Sequence, residues 1–343
     1  MASMVTGLYP HHHGYLDWER PLDASIRTVF DAFADGGREV GTFVFDTGYL
    51  FRDLPNANVL GTTDTLDGVV EWLRASRQSP FLLFVHSWAT HMPTSIEHAR
   101  RESWREAKQR YLDGLRADTA GGFEACREEY RVGVEHVSEV LVAELLAELE
   151  TQGLSEQTAF VFLSDHGESW GERFEDKSEI KGIYHLHGAT LYDEIVQVPL
   201  IVVAPGATEP AVVGTQVSTV DVVPTLLSLA GLPALDTDGV SLLESARASD
   251  HDRAVFTFTT DRGVLSQAGV RRWPWKVIRH LSDDRREAYR VDLDPRERVD
   301  RAAEAPEELA YLLDQELANV ERRELSDEEE AAVVSRLSDL GYL

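Results

Sequence analysis

Four short, unbroken apolar runs punctuate the first two thirds of the chain: Gly41 to Phe45, Phe81 to Val85, Ala159 to Leu163 and Val198 to Val203. Runs of this length without polar alternation are the pattern of strands covered on both faces. Amphipathic helical patterns lie between them, over Ser25 to Gly36, Thr65 to Ser76 and Phe123 to Gly153. In the longest of these, Val134, Val137, Val140, Leu141, Leu145 and Leu149 recur at three- and four-residue steps and make one apolar face. Strands alternating with helices predict an α/β fold, a mostly parallel central sheet with right-handed crossovers and helices on both faces. In such a sheet chemistry collects at the carboxyl ends of the strands.

The pattern changes after about Ser245. Ala254 to Thr260, Gly263 to Arg271, Trp275 to His280 and Glu287 to Leu293 alternate with a period of two, and Pro306 to Val320 then reads as a helix. This predicts a main α/β domain over 1–245 and a small C-terminal unit over 246–343, an antiparallel sheet with a covering helix. Asp327 to Leu343 reads as a final acidic helix. There is no internal repeat and no low-complexity linker.

Charge adds to this picture. Sixty acidic residues face 33 basic ones, of which only Lys108, Lys177, Lys181 and Lys276 are lysine, for a formal net charge of −27. The acids are spread along the whole chain. Molar salt screens the self-repulsion of such a surface within a few Å, so the composition predicts a halophilic cytosol. A nucleic-acid partner is excluded for want of a basic face. No apolar run approaches the length of a membrane span, and no signal peptide with a basic start is visible. The single cysteine, Cys126, reads as a half-buried helix residue with no disulfide partner.

Three segments carry candidate chemistry. In Phe160-Val161-Phe162-Leu163-Ser164-Asp165-His166-Gly167-Glu168 an apolar strand runs straight into a carboxylate and an imidazole, then a glycine. Two metal ligands side by side at a strand end fit this pattern, and so does a surface turn. Phe81 to Val85 likewise delivers His86 and His91, which can steady an anionic oxygen, donate a proton or be plain structural histidines. The third segment, Tyr184-His185-Leu186-His187-Gly188, precedes Leu191-Tyr192-Asp193-Glu194 and the strand ending at Val203. His11 and His12 read as surface residues of a Tyr-Pro turn.

In this order and spacing the segments resemble the sulfatase family of the alkaline phosphatase superfamily over nearly the whole chain. The resemblance is carried by Val5-Thr6-Gly7-Leu8-Tyr9-Pro10 with His13-Gly14, Ser164 to Glu168, His187-Gly188, Leu191 to Glu194 and Val198-Pro199-Leu200-Ile201. Val220-Asp221-Val222-Val223-Pro224-Thr225-Leu226-Leu227 and Leu337 to Tyr342 complete it. It implies an alkaline-phosphatase-like fold and metal-assisted hydrolysis of small-molecule sulfate esters, or of the phosphodiesters and phosphonate esters that related enzymes cleave. It implies one divalent metal on Asp165 and His166, calcium first, with manganese or zinc admitted by the imidazole. His91 is expected to meet the sulfate group, and His187 to act as a substrate contact or general acid. His185, His86 and Lys181 are secondary candidates.

The sequence departs from the family at two places. The family's nucleophile, a cysteine converted to formylglycine or a serine, lies in a Cys/Ser-x-Pro/Ala-x-Arg segment directly before the stretch matched by Ala2 to Gly7, and here only Met1 precedes that stretch. The expectation is a disrupted or misread gene start, with an inactive remnant as the rival. The Lys-x-His pair of arylsulfatases is also absent after the strand at Thr42 to Phe45, which argues against aryl sulfates.

Overall fold

A computed structural model describes residues 1–16, 21–44, 49–52, 54–61, 66–76, 78–91, 104–117, 120–171, 173, 187–207, 209–245, 253–261 and 264–318. The helices are α1 (Ala2–Thr6), α2 (Pro10–His13), α3 (Val29–Asp35), α4 (Tyr49–Arg52), α5 (Asp67–Ser76), α6 (Trp104–Arg116), α7 (Ala120–His136), α8 (Ala143–Thr151), α9 (Asp193–Val196), α10 (Val222–Ala230), α11 (Leu242–Ser245) and α12 (Glu307–Leu317). The strands are β1 (Glu39–Val44), β2 (Val59–Gly61), β3 (Phe81–His86), β4 (Phe160–Leu163), β5 (Leu200–Val203), β6 (Val255–Asp261), β7 (Val264–Arg272), β8 (Trp275–His280) and β9 (Arg286–Arg290).

The expected α/β fold is present. β1 is flanked by β2 and β3, all parallel, in the order β2-β1-β3. β4 pairs with β5, and this pair runs antiparallel, from Phe160 opposite Val203 to Leu163 opposite Leu200. The sheet expected to be mostly parallel thus also includes an antiparallel pair. The third sheet is a meander, β6-β7-β8-β9, antiparallel throughout as its alternating pattern predicts.

Local chemistry explains the helix boundaries. Thr28 caps α3: its hydroxyl accepts from the Asp31 amide while the Asp31 carboxylate accepts from the Thr28 amide, the reciprocal pairing that starts a helix. The helix expected over Phe123 to Gly153 forms as α7, a π-helical turn over Val137–Val142 and α8. The wider turn shifts the phase of the apolar face by part of a residue, so Leu141 and Leu149 both pack on Val69 and Leu73 of α5. Phe30, Val44, Val223 and Leu227 close the core on the other side of β1. Each such side chain contributes about 1.5 to 3 kcal/mol. Cys126 is buried in α7, and burial pushes its thiol up to about 11, so it stays protonated. The acidic helix expected over Asp327 to Leu343 lies outside the described residues. No described helix is long and apolar enough to cross a membrane.

The C-terminal sheet is fastened to the α/β part by buried charge. Lys276 on β8 reaches Asp193 Oδ1 at 2.8 Å and Glu297 Oε1 at 2.7 Å, and Arg271 on β7 reaches Asp193 Oδ2 at 2.7 Å. Glu297 also accepts from the Asp193 amide at 2.7 Å. Farther along, Arg253 forks onto both oxygens of fully buried Asp221 at 2.7 Å each. Two of the segments that carry the family resemblance, Leu191 to Glu194 and Val220 to Leu227, thus serve architecture.

Candidate active site at the strand ends

The carboxyl ends of β3 and β4 open on one cavity of about 1040 Å³, and His86, His91, Asp165, His166, Glu168 and His187 all line it. β4 ends at Leu163, and Ser164 folds its hydroxyl back to the His166 carbonyl at 2.7 Å, which tightens the turn. Gly167 is obligatory there. A Cβ would fall 2.1 Å from the Glu194 carbonyl oxygen, while its amide donates to the Ile195 carbonyl at 2.7 Å. The turn is thereby clamped to α9, and α9 to the charge cluster at Asp193.

The tautomers follow from the hydrogen bonds. His166 Nδ1 lies 2.8 Å from the Gly167 carbonyl, so it carries the proton and donates, and Nε2 keeps its lone pair. That nitrogen is 3.9 Å from Asp165 Oδ2. Two donors each about 2.0 to 2.6 Å from one cation can lie this far apart, and a carboxylate with an imidazole suits a divalent ion. Among the described residues no third His, Cys, Asp or Glu completes a metal-ligand group with them. Burial by itself would raise the Asp165 carboxyl, but His166 first, with His86 and its own backbone hydrogen bond, acts in the opposite sense and lowers it.

His187 sits behind His166, the two rings stacked with centroids 4.5 Å apart. Its Nδ1 is 2.9 Å from Glu168 Oε2, and a carboxylate can only accept, so Nδ1 is the protonated nitrogen. Burial, then the neighbouring His166, push its imidazole down to about 3 against the pull of Asp165. His91 follows the β3 turn, stacks on Trp88 at 4.5 Å and meets the His187 ring edge-to-face at 5.3 Å. His86 is lowered by burial, with Asp165 acting in the opposite sense.

The structure therefore brings together Asp165, His166, His187 and His91, with His86 beside them. His185 and Lys181 lie outside the described residues. Two residues that the sequence did not single out for the site belong to it. Glu168 orients His187, and His13 lines the cavity from α2, accepting from the Tyr15 amide at Nδ1 (3.0 Å) and so presenting Nε2–H to Ser3 Oγ at 3.1 Å. His13-Gly14 in the sequence was the signal for the second. α1 starts in the same cavity. The surface placement of the two preceding histidines holds for His12, 41% exposed, and is corrected for His11, whose side chain is only 1% exposed because it packs between Tyr9 and Phe258.

Acidic and imidazole donors converge at the strand ends of an α/β sheet, where ligands of such folds collect. The sequence model of the sulfatase family matches residues 46–232, more than half of the chain, and the chain belongs to that family. Arylsulfatase K of Rattus norvegicus is 29% identical over 196 residues, 53% of this chain and 33% of that protein. The low-salt glycan biosynthesis sulfotransferase Agl7 of Haloferax volcanii is 28% identical over 260 residues, 74% of this chain and 57% of its own length. The chain thus spans from a third to rather more than half of these relatives. A protein solved in complex with its substrate D-glucosamine-2-N,6-O-disulfate superposes with a TM-score of 0.69 at 17% identity, over 93% of this chain and 87% of that one, a likeness of fold.

Proposed function

We propose that this chain forms the core of a metal-dependent sulfatase that hydrolyses small-molecule sulfate esters in the cytoplasm of a halophile. The observation that carries the reading is the convergence of Asp165, His166, His187 and His91 on one cavity in a chain of the sulfatase family. Asp165 and His166 Nε2 hold a divalent cation, calcium by preference, and a bound cation would supply charge neutralisation for the sulfate oxygens.

The rest of the site acts through its own residues. Asp165 stays ionised because His166 and His86 beside it favour its charge. His187 is neutral in the empty cavity, with Nε2 as an acceptor. An entering anion stabilises its protonated form, and Glu168 behind it stabilises the same form, so the ring becomes a donor only once substrate is present. His91, held on Trp88, supplies the second contact to the ester oxygens. The division into an α/β domain over 1–245 and an appended unit over 246–343 belongs to the same proposal.

A substrate panel tests the reading. The protein isolated from its own cells, assayed in molar KCl with calcium, releases sulfate from carbohydrate or alkyl sulfates faster than phosphate from phosphodiesters or phosphonate esters. Robust phosphodiester or phosphonate hydrolysis with no sulfate release would overturn it.

A further inference from the structure

Beside the cavity, but not lining it, α2 carries donors that the reaction above does not use. We propose that His11, His12 and Glu316 form a second metal site, of the class that takes zinc, cobalt or nickel, clipping α2 to the C-terminal helix α12. One ligand atom from each residue lies within 4.8 Å of the other two. None of the three borders the cavity of about 1040 Å³, and the site stands independently of the sulfate-ester reading.

The first support is the state of His11. Its side chain is 1% exposed, and neither ring nitrogen makes a hydrogen bond, although Nε2 stands 3.2 Å from Glu316 Oε1. A buried imidazole normally finds a partner, because desolvating its nitrogens without one is costly. A cation between the ring and the carboxylate would satisfy both.

The second support is the orientation of His12. Its Nδ1 lies 2.8 and 2.9 Å from the two oxygens of Asp238, and Asp238 is itself pinned by the Tyr9 amide at 2.6 Å. This pairing places the proton on Nδ1 and leaves Nε2 as the ligand atom, the carboxylate–histidine arrangement found behind metal-bound imidazoles. The His11 and His12 rings are 4.0 Å apart, centre to centre.

Two imidazoles and one carboxylate form a three-ligand set that favours a borderline transition ion over calcium, with water in the fourth position. Tetrahedral ligands about 2.05 Å from zinc sit about 3.3 Å apart, so the donors must close by at most about 1.5 Å. His12, 41% exposed, and the Glu316 side chain, 21% exposed, have room to turn. The net charge of −27 favours uptake of a cation. Tyr9, Pro10 and His13 do line the cavity, so the clip would tie a wall of the candidate active site to the C-terminal unit.

Isothermal titration of the full chain with zinc, in molar KCl with saturating calcium, tests this. Wild type and Asp165→Asn should each bind one zinc equivalent at this site with a rise in Tm. Glu316→Gln and His12→Ala should bind it at least about 100-fold more weakly without that rise, and Asp238→Asn about 10- to 100-fold more weakly. Circular dichroism and the metal-free Tm establish that each variant is folded, and His12→Gln at the exposed position stands in if another is not. Zinc bound equally by wild type, Glu316→Gln and His12→Gln, zinc lost in Asp165→Asn, or no zinc bound at all would each overturn the proposal.

Discussion

The strand-end cavity and the C-terminal meander use the same kinds of residue in opposite ways. In and beside the meander buried charges meet protein partners: Lys276 lies between Asp193 and Glu297, and Glu287 accepts from Tyr192 at 2.7 Å, Tyr289 at 2.5 Å, His280 at 2.7 Å and Arg285. At the strand ends Asp165, His166, His187 and His91 line a cavity that a ligand can fill. Satisfied charges specify how two parts of a chain fit together, whereas converging charges around a cavity are arranged for something that enters it.

The contrast predicts that substitutions in the cavity change rate and those in the meander change stability. The largest effect falls on His187→Ala, which should lower kcat by about 10² to 10⁴-fold. Its urea midpoint should stay close to wild type, and Glu168→Gln should show a smaller loss in kcat of the same kind. A loss of stability equal to the loss of rate would erase the distinction.

Next comes Lys276→Met. It leaves Glu297, 2% exposed, with only the more distant Arg173 at 3.6 Å as a cation, and should cost about 3 kcal/mol in denaturant unfolding. Burial raises the Glu297 pKa, so the variant's deficit relative to wild type should shrink as the pH is lowered and Glu297 takes a proton. A deficit below about 1 kcal/mol would show that the Lys276 ion pairs do not hold the sheet in place.

The smallest effect is pH-dependent. Burial would raise Glu287, but hydrogen bonds from Tyr289, Tyr192 and His280, and the charge of Arg285, hold it at about 2. A depressed carboxylate stabilises fully above its unfolded value of about 4.3 and loses that contribution as pH falls toward 2, here up to about 3 kcal/mol. Wild type should therefore lose more Tm than Glu287→Gln between pH 4.5 and 2, and parallel curves would contradict the assignment.

Legibility in the sequence followed the same division. The strands and the Asp165-His166 pair were readable because an unbroken apolar run, a carboxylate, an imidazole and a glycine are contiguous. β2, with only three residues, and the π-helical turn after His136 left no periodic trace. Glu168 followed that pair directly, yet only the fold shows that it faces His187, nineteen positions away. Lys276 in an alternating strand reads as a solvated residue. Its burial depends on Asp193, 83 positions away, and on Glu297. The buried ring of His11 was hidden inside a run of three histidines that looks polar throughout.

In the proposed function, Asp165 and His166 hold the cation on which ester hydrolysis depends. Sulfate release by the protein from its own cells, measured as calcium is titrated in molar KCl for wild type and Asp165→Asn, tests it most directly. The account predicts calcium-dependent release by wild type, abolished by chelation, and in Asp165→Asn a loss of at least about 100-fold at any calcium concentration. Equal release by the two proteins, or release indifferent to chelation, would contradict it.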